Sequence, residues 1–235
     1  MDRKIKIALI VVVILILGYV AFYFTDCHHA QKTATDYLNG SDNVSVVKMS
    51  NGLLLDGEGN DTALIFYPGA KVEYTSYLPM FSKLASEGVD CYLVEMPFNF
   101  AFFGSDSAGD IINNSSYNHY FLAGHSLGGV VASSYVNRSD DVDGLILLAS
   151  YPTEEIHKPI LSIYGSNDNV LDIEKYGEAK PLIKGNFTEF VIGDANHAQF
   201  AYYANQPGDG QATISAKSQQ DQCVSEMAKF IETYA

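Results

Sequence analysis

Short apolar runs alternate with segments of helical periodicity along most of the chain. Ala63 to Tyr67 is a continuous apolar run that ends at Pro68-Gly69, which is typical of a strand buried on both faces. Apolar residues then recur at helical spacing from Tyr77 to Ala85, and Gly88 follows as a stop signal. Further strands are predicted in VDCYLVEM, YFLAG, GLILLAS, PILSIYG and FTEFVI, and further helices around Ala108, Ile111 and Ile112, over GGVVASSYV and over residues 216–234, where Val224, Met227, Ala228 and Ile231 share a face.

The order of these elements predicts an α/β fold. Strands that alternate with helices form parallel sheets whose two faces are covered by the helices. Before the first such strand, the runs VSVVKMS and GLLLDG flank Asn51-Gly52, a strong signal for an antiparallel hairpin. We therefore predict a mostly parallel sheet with helices on both faces and a hairpin at its start.

The beginning of the chain has a different pattern. From Ile7 to Phe24 it runs 18 residues without a charge, which spans about 27 Å as a helix, close to the hydrocarbon thickness of a bilayer. The basic residues Arg3, Lys4 and Lys6 precede the run, so its amino-terminal end is expected in the cytoplasm. The sequence thus predicts a single-pass cell-membrane protein whose folded domain lies outside the cytoplasm.

A cleaved signal peptide, which would release a secreted protein, is the alternative. The apolar run is longer than a usual signal-peptide core and ends in the bulky residues AFYF, which favours an uncleaved anchor. The predicted organisation is a cytoplasmic amino terminus and transmembrane anchor over residues 1–25, a stalk over 26–43 and one folded domain over 44–235.

Charge narrows the range of partners. The chain has 14 basic and 28 acidic residues. Without Arg3, Lys4, Lys6 and Asp2, 11 basic and 27 acidic residues remain, so residues 26–235 carry a formal charge of −16. No basic patch for nucleic acid is expected on such a domain. Three widely spaced cysteines predict no disulfide framework, and nothing in the sequence indicates a metal or an organic cofactor.

Candidate chemistry begins at Gly124-His125-Ser126-Leu127-Gly128. Here Ser126 falls between a predicted strand and a predicted helix, with a glycine two residues away on each side. A nucleophilic serine on a sharp strand-to-helix turn requires such spacing, because side chains at the flanks would collide with neighbouring backbone. A glycine-rich turn without catalytic function is the alternative, and the strand and helix context favours a nucleophile.

A serine nucleophile needs a base, and the base needs an acid to orient it. Of the six histidines, His197 follows a predicted strand across a Gly/Asp/Asn turn, at the sheet edge where ligands bind in open parallel sheets. Asp168 follows another strand end at Gly165 and is the predicted acid. Asp172 and Asp194 are rivals for that role, although neither is placed as well in a strand-end loop.

The stretches IFYPGAKVEY, GHSLGG, SIYGSNDNV and GDANHAQF together resemble the α/β-hydrolase superfamily, and specifically its compact, lidless, esterase-like members. The resemblance covers roughly residues 44–234 and includes the chain order serine, acid, histidine. It implies an oxyanion hole formed by backbone N–H groups of Leu127 and Ala70. A histidine-glycine pair is usual before the second donor, and this chain has Pro68-Gly69 there instead.

Four further residues are candidates for substrate binding: Glu73, Tyr77, Phe98 and His125. Glu73 and Tyr77 follow the loop that carries Ala70, where they either buttress that loop or bind polar groups of the substrate; the alternatives for them are a solvated carboxylate and a core tyrosine. Phe98 belongs to the aromatic run 97–103, which either lines an acyl pocket or packs in the core. His125 directly precedes Ser126.

These features predict a cofactor-free serine hydrolase that cleaves carboxylic esters of small or amphiphilic substrates through an acyl-enzyme. A thioesterase, an amidase or an acyltransferase on the same residues is the first alternative. A non-catalytic, membrane-tethered binding domain is the second. A dienelactone-type hydrolase is a third, but it would have cysteine at position 126. No oligomeric state is predicted.

Overall fold

An eight-stranded sheet forms the centre of the computed structural model, which describes residues 2–25, 27–41, 43–59, 61–204 and 206–235. The strands are β1 (Ser45–Met49), β2 (Gly52–Asp56), β3 (Thr62–Tyr67), β4 (Asp90–Val94), β5 (His119–His125), β6 (Gly144–Leu148), β7 (Ile160–Gly165) and β8 (Phe187–Ile192). Their order across the sheet is β1-β2-β4-β3-β5-β6-β7-β8. The pairs β1–β2 and β2–β4 are antiparallel, and all other pairs are parallel. The predicted fold class is confirmed.

Both faces of this sheet are covered by helices. The described part of the chain contains the helices α1 (Arg3–Thr25), α2 (Lys32–Thr35), α3 (Leu78–Ala85), α4 (Ser107–Asn113), α5 (Leu127–Asn137), α6 (Ile173–Ala179) and α7 (Ala216–Tyr234), of which α1 does not cover the sheet. Buried side chains of α3 and α7 join one apolar cluster with one face of the sheet, and those of α4 and α5 join a second cluster with the other face. Strands that are buried on both faces read as continuous apolar runs, which is why they were visible in the sequence.

The hairpin predicted at Asn51-Gly52 is present. In its register Met49 pairs with Gly52, and Ser45 pairs with Asp56. Gly52 has φ of +145°, and a Cβ atom there would lie 2.1 Å from the carbonyl oxygen of Leu93 on β4. Glycine at this position therefore allows β2 to continue the sheet next to β4.

The carboxyl edge of the parallel strands carries unusual backbone conformations. Six non-glycine residues in the described part of the chain have positive φ, and each follows a strand end at this edge: Lys71, Phe98, Asn99, Ser126, Ala149 and Asp194. Each such residue costs of order 1–3 kcal/mol, and such strain accumulates at functional sites. The distribution of these strained residues indicates that a functional site lies at this edge of the sheet.

Within the segment predicted as a stalk, residues 28–34 contact the domain. The backbone N–H of His28 donates to the carbonyl of Lys71 at 2.6 Å, and the N–H of Glu73 donates back to His28 at 3.1 Å. Further along, the N–H of Gln31 donates to Tyr202 at 2.9 Å, and Ala34 in α2 is completely buried. These partners are distant in sequence, so the polar composition of the segment gave no sign of them.

Helix α1 differs from the other helices because its apolar side chains are exposed, Leu15 to 66 % and Tyr19 to 69 %. Among the described helices it alone is long and apolar enough to cross a membrane. Its end meets the domain through Tyr23, whose ring stacks on Phe100 with centroids 6.1 Å apart, and the Lys71 ammonium lies 3.7 Å from the centre of the same Tyr23 ring.

Candidate active site

Ser126 sits on a sharp turn between β5 and α5. Its backbone angles are φ 52° and ψ −123°, which leave the helical region before α5 begins at Leu127. The Ser126 N–H donates to the carbonyl of Leu148 on β6 at 2.9 Å, and the Ser150 hydroxyl donates to the Ser126 carbonyl at 2.7 Å. Bonds from two neighbouring segments therefore hold a conformation that a serine rarely adopts.

The two flanking glycines are required by close backbone approaches. A Cβ atom on Gly124 would lie 2.4 Å from the carbonyl carbon of Gly128. A Cβ atom on Gly128 would lie 2.2 Å from the carbonyl oxygen of Tyr67 and 2.4 Å from that of Pro68. The second glycine thus lets the start of α5 contact the turn that follows β3, the turn expected to contribute to an oxyanion hole.

His197 and Asp168 meet at this edge of the sheet. The Nδ1 atom of His197 lies 2.8 Å from Oδ2 of Asp168, and the two side chains are 2 % and 1 % exposed. The other carboxylate oxygen accepts the N–H groups of Val170 and Leu171, each at 2.8 Å. With Asp168 oriented by these bonds, Nδ1 of His197 carries the proton that it donates, and Nε2 is available as a base.

Ser126 and His197 border one cleft of about 220 Å³. The other described residues that line it are Leu127, Val130, Ala149, Ser150, Tyr151, Val170, Leu171 and Asp172. No hydrogen bond joins the Ser126 hydroxyl to His197 within the described residues. In unliganded sites of this type that bond is often long and tightens when substrate binds.

The rivals of Asp168 have other positions. Asp172 caps the amino terminus of α6, where its Oδ1 accepts the N–H of Lys175 at 3.1 Å. Asp194 is exposed, with φ of 62°, and its carbonyl accepts the N–H of Thr213. The carboxylate that contacts the His197 ring is that of Asp168.

Sequence reasoning missed Asp209, which holds the backbone of His197. Its Oδ1 accepts the His197 N–H at 3.2 Å, and its Oδ2 accepts the Ala198 N–H at 2.8 Å. The Asn196 side chain also donates to the carbonyl of Gly210 at 2.8 Å. An acid between two glycines in a turn is a weak signal, because such turns are common on protein surfaces.

The two oxyanion-hole candidates lie on adjoining segments. Leu127 is the first residue of α5, where backbone N–H groups have no partner within the helix and form the positive end of its dipole. Ala70 lies in the turn after β3 and is partly exposed. Leu127 borders the cleft, whereas Ala70 is not among the described residues that line it.

Tyr77 and His125 are buried beneath this turn. The Tyr77 hydroxyl accepts the Gly69 N–H at 3.1 Å and forms a hydrogen bond of 2.7 Å with Nδ1 of His125. Burial raises the pKa of Tyr77 well above its usual range. Burial, followed by the charge of His197, lowers the pKa of His125 well below its usual value. Both side chains are therefore neutral structural supports for the turn.

This burial also bears on their prediction as substrate-binding residues. Tyr77 is completely buried and His125 is 1 % exposed, so neither presents a polar atom to the cleft. The His125 ring instead packs on the His197 ring, with centroids 4.5 Å apart. His125 Nε2 has no hydrogen-bond partner among the described residues.

The other two substrate-binding candidates lie outside the cleft. Glu73 accepts the Ala30 N–H at 2.7 Å and pairs with Nδ1 of His29 at 2.9 Å, so it attaches the 28–41 segment to the domain. Phe98 is 63 % exposed on the turn after β4. The structure therefore places neither residue with Ser126 and His197.

One group of metal-ligand type occurs in the described residues. Ligand atoms of Cys27, His29 and Glu73 lie within 4.8 Å of one another. Both Glu73 oxygens are already bonded to His29 and Ala30. The group lies on the docked segment and shares no residue with the lining of the cleft.

The chain was compared with protein families, curated proteins and solved structures. The model of the alpha/beta hydrolase family matches residues 63–221. A search of curated proteins finds no match. Among solved structures, the alpha/beta hydrolase GrgF from a Penicillium species has a TM-score of 0.63 at 12 % identity, covering 81 % of this chain and 98 % of that chain.

Two further solved structures are similar. Ferulic acid esterase from Streptomyces cinnamoneus has a TM-score of 0.62 at 17 % identity and covers 76 % of this chain and 68 % of that chain. Dienelactone hydrolase from Anabaena variabilis has a TM-score of 0.59 at 15 % identity and covers 83 % of this chain and 98 % of that chain. At these identities the likeness concerns the fold.

Proposed function

Because the chain belongs to the alpha/beta hydrolase family, we propose that it is a serine hydrolase that cleaves carboxylic esters through an acyl-enzyme. One observation carries the proposal: His197, paired with Asp168 at 2.8 Å, borders the same cleft as Ser126, which occupies a strained turn at the start of a helix. Ser126, Asp168 and His197 follow the ends of three different strands, β5, β7 and β8, as expected for a nucleophile, an acid and a base that act together.

In the proposed reaction the Ser126 hydroxyl attacks the acyl carbon while Nε2 of His197 takes its proton. The alcohol leaves with that proton, and an ester between Ser126 and the acyl group remains. Water then attacks this ester while Nε2 of His197 takes a proton from it; the acyl–Oγ bond breaks, His197 returns the proton to Ser126 Oγ, and the acid is released. Asp168 keeps the His197 ring in the required tautomer and stabilises its protonated form.

In this proposal, backbone N–H groups stabilise the negative charge that develops on the acyl oxygen. Leu127 supplies one at the start of α5, where the helix dipole also favours an anion. The backbone N–H of Ala70, in the turn after β3, is the proposed second donor. Tyr77 keeps that turn in place by accepting the Gly69 N–H, so the donor is oriented before substrate arrives.

The cleft favours a small or slender acyl group. Its volume is about 220 Å³, and Leu127, Val130 and Leu171 give it an apolar part. The connection from β6 to β7 comprises residues 149–159 and contains no helix, so no cap forms there over the cleft. An ester with one small acyl side fits such an open site better than a bulky amide.

We also propose that α1 anchors the protein in a membrane, with the domain on the outer side, as the basic residues at its start favour. Mass spectrometry of the protein extracted from the membranes of the cells that produce it is expected to find residues 1–25 attached. A soluble protein that lacks them would identify the helix as a cleaved signal sequence.

The serine hydrolase proposal is tested with the full chain in detergent. We expect a fluorophosphonate probe to label the protein, and short-chain aryl esters to be hydrolysed at a rate that falls by about 10⁴-fold or more in Ser126→Ala and His197→Ala. The matched controls are Ser225→Ala and His157→Ala, which change exposed residues. Absence of both labelling and hydrolysis in the unmutated chain overturns the proposal. Product analysis with ester, thioester and amide substrates separates the related activities.

A further inference from the structure

An exposed aromatic surface lies on the turn after β4. Phe98, Phe102 and Phe103 are 63 %, 62 % and 55 % exposed, on two consecutive 3₁₀ turns. We call these three residues the aromatic rim. Clustered exposed phenylalanines are unusual on the surface of a soluble domain and mark sites that contact another protein, a ligand or a membrane. Sequence alone indicated core packing or an acyl pocket for this run. The three rings are too exposed for core packing, and none of them is among the described residues that line the cleft.

The backbone holds the aromatic rim in place. Phe98 and Asn99 have φ of 56° and 55°, a conformation that bulky residues rarely adopt. The carbonyl of Asn99 accepts the Lys71 N–H at 2.8 Å, and Ala101 is buried beneath the turn. The Phe98 and Phe103 rings also contact edge to face, with centroids 5.7 Å apart. The outward position of the rings is therefore built into the fold at a cost in backbone strain.

The aromatic rim lies where α1 reaches the domain. Tyr23, near the end of α1, stacks on Phe100 of the same turn, and the Lys71 ammonium lies over the Tyr23 ring. Aromatic side chains and a lysine are the residues that concentrate at the interface between acyl chains and headgroups. The rim thus continues the surface that α1 presents at the outer end of its apolar span.

We propose that the aromatic rim inserts into the outer interface of the same bilayer that α1 crosses. This contact is apolar and does not depend on anionic lipid, because residues 26–235 carry a formal charge of −16. The proposal rests on the proposed membrane anchor, and it is independent of catalysis at Ser126.

The contact also orients the candidate active site. The rim turn is bonded to Lys71, the residue after Ala70, and it follows β4 at the edge where Ser126 follows β5. With the rim in the interface, this edge of the sheet faces the headgroup region. An amphiphilic ester held in the leaflet then lies close to the cleft.

The chain contains no tryptophan, so one introduced tryptophan reports on a single position. We would reconstitute the full chain in phosphatidylcholine vesicles, with and without lipids brominated near the carbonyl end of the acyl chains. The test variant is Phe102→Trp. The matched control is Phe187→Trp, at the first residue of β8 and therefore at the opposite edge of the sheet, where Phe187 is 37 % exposed.

Brominated lipid is expected to lower the emission of Phe102→Trp by about two-fold or more and to leave Phe187→Trp almost unchanged, because this quenching requires contact with the acyl region. Circular dichroism and thermal unfolding establish that both variants are folded. Equal quenching of the two variants, or quenching of neither, overturns the proposal. The proposal is also overturned if the emission of Phe102→Trp becomes protected from quenching as the protein concentration rises, because a second copy of the chain would then cover the rim. Fluorophosphonate labelling of the same samples reports separately on the serine hydrolase proposal.

Discussion

His197 and Asp168 form a buried pair in which Nδ1 and Oδ2 are 2.8 Å apart and almost no side-chain surface is exposed. The remaining Asp168 oxygen is occupied by two backbone N–H groups, so the carboxylate has one orientation. The His197 ring is therefore held in one orientation by a carboxylate that is itself fixed.

Asp168→Asn is expected to lower kcat for aryl esters by about 10³- to 10⁴-fold, since an amide at this position favours the wrong tautomer of His197. Asp194→Asn is the matched control, because Asp194 is exposed and asparagine tolerates its positive φ. Steady-state kinetics on both variants decide the point. Comparable losses in the two variants would contradict the assignment of Asp168.

Gly128→Ala is expected to destabilise the fold and abolish activity. Its Cβ atom would lie 2.2 Å from the Tyr67 carbonyl oxygen, so either α5 or the turn after β3 must move. Gly177→Ala in α6 is the control, because no atom lies within 4 Å of the added Cβ. That change is expected to stabilise by about 0.5–1 kcal/mol. Urea unfolding of both variants gives the measurement, and equal stabilities would be inconsistent with the close approach at Gly128.

Tyr77→Phe removes the partner of two buried groups, the Gly69 N–H and His125 Nδ1. We expect a loss of about 1–3 kcal/mol for each buried group left unsatisfied. We also expect kcat to fall more than KM rises, because the turn carrying the second oxyanion donor loses its support. Tyr234→Phe, at a partly buried ring on α7, is expected to change stability by about 0.5 kcal/mol or less.

The stability of the fold is expected to be sensitive to acid because of His125. Burial, and then the neighbouring His197, lower the pKa of His125 well below its usual value in the folded protein. The unfolded chain binds the additional proton, with a pKa of about 6.5. This contribution to stability is therefore complete above pH 6.5 and is lost as the pH falls below it, by about 1.4 kcal/mol per pH unit.

The measurement is urea unfolding at pH 7.5, 6.5 and 5.5. His125→Gln is expected to lower stability at pH 7.5 yet to lose less of it on acidification than the unmutated chain does. His157→Gln, at an exposed ring, is expected to keep the original pH dependence. An unchanged slope in His125→Gln would show that another group causes the acid loss.

Removing two rings of the aromatic rim is expected to change the rate of hydrolysis for membrane-bound esters but not for soluble esters. The double variant Phe102→Ser with Phe103→Ser should hydrolyse a long-chain ester in vesicles about ten-fold more slowly, since interfacial contact of two rings is lost. Its rate with a soluble short-chain ester should be unchanged. Phe187→Ser serves as the control. Equal losses with both esters would place the effect in the cleft rather than at the membrane.

Much of the fold follows from local patterns. The parallel strands are continuous apolar runs because they are buried on both faces, and α7 spans the predicted residues 216–234. The Asn51-Gly52 hairpin and the turn at Ser126 were visible because each depends on a few adjacent residues. Ser126, Asp168 and His197 could be nominated from their positions after predicted strands, and the spatial roles assigned to them remain predictions for the experiments above.

Other features depend on residues that are distant in the chain. Local periodicity did not indicate that residues 28–41 dock on the domain or that Asp209 holds the backbone of His197. Tyr77 was a candidate buttress of the turn after β3, but its contact with His125 was not indicated. Nor did it indicate that Phe98 and Phe102 are exposed while Ala101 is buried.

The sequence by itself determined the alternation of strands and helices, the apolar span of α1 and the turns at the strand ends, because hydrophobic periodicity and turn chemistry act over a few residues. The tertiary structure alone decided which acid contacts His197, which candidates are buried beneath the site and which aromatic rings face outward. These outcomes depend on the order of strands in the sheet and on the paths of the loops, which bring together segments separated by up to 170 or so residues, as Gln31 and Tyr203 are.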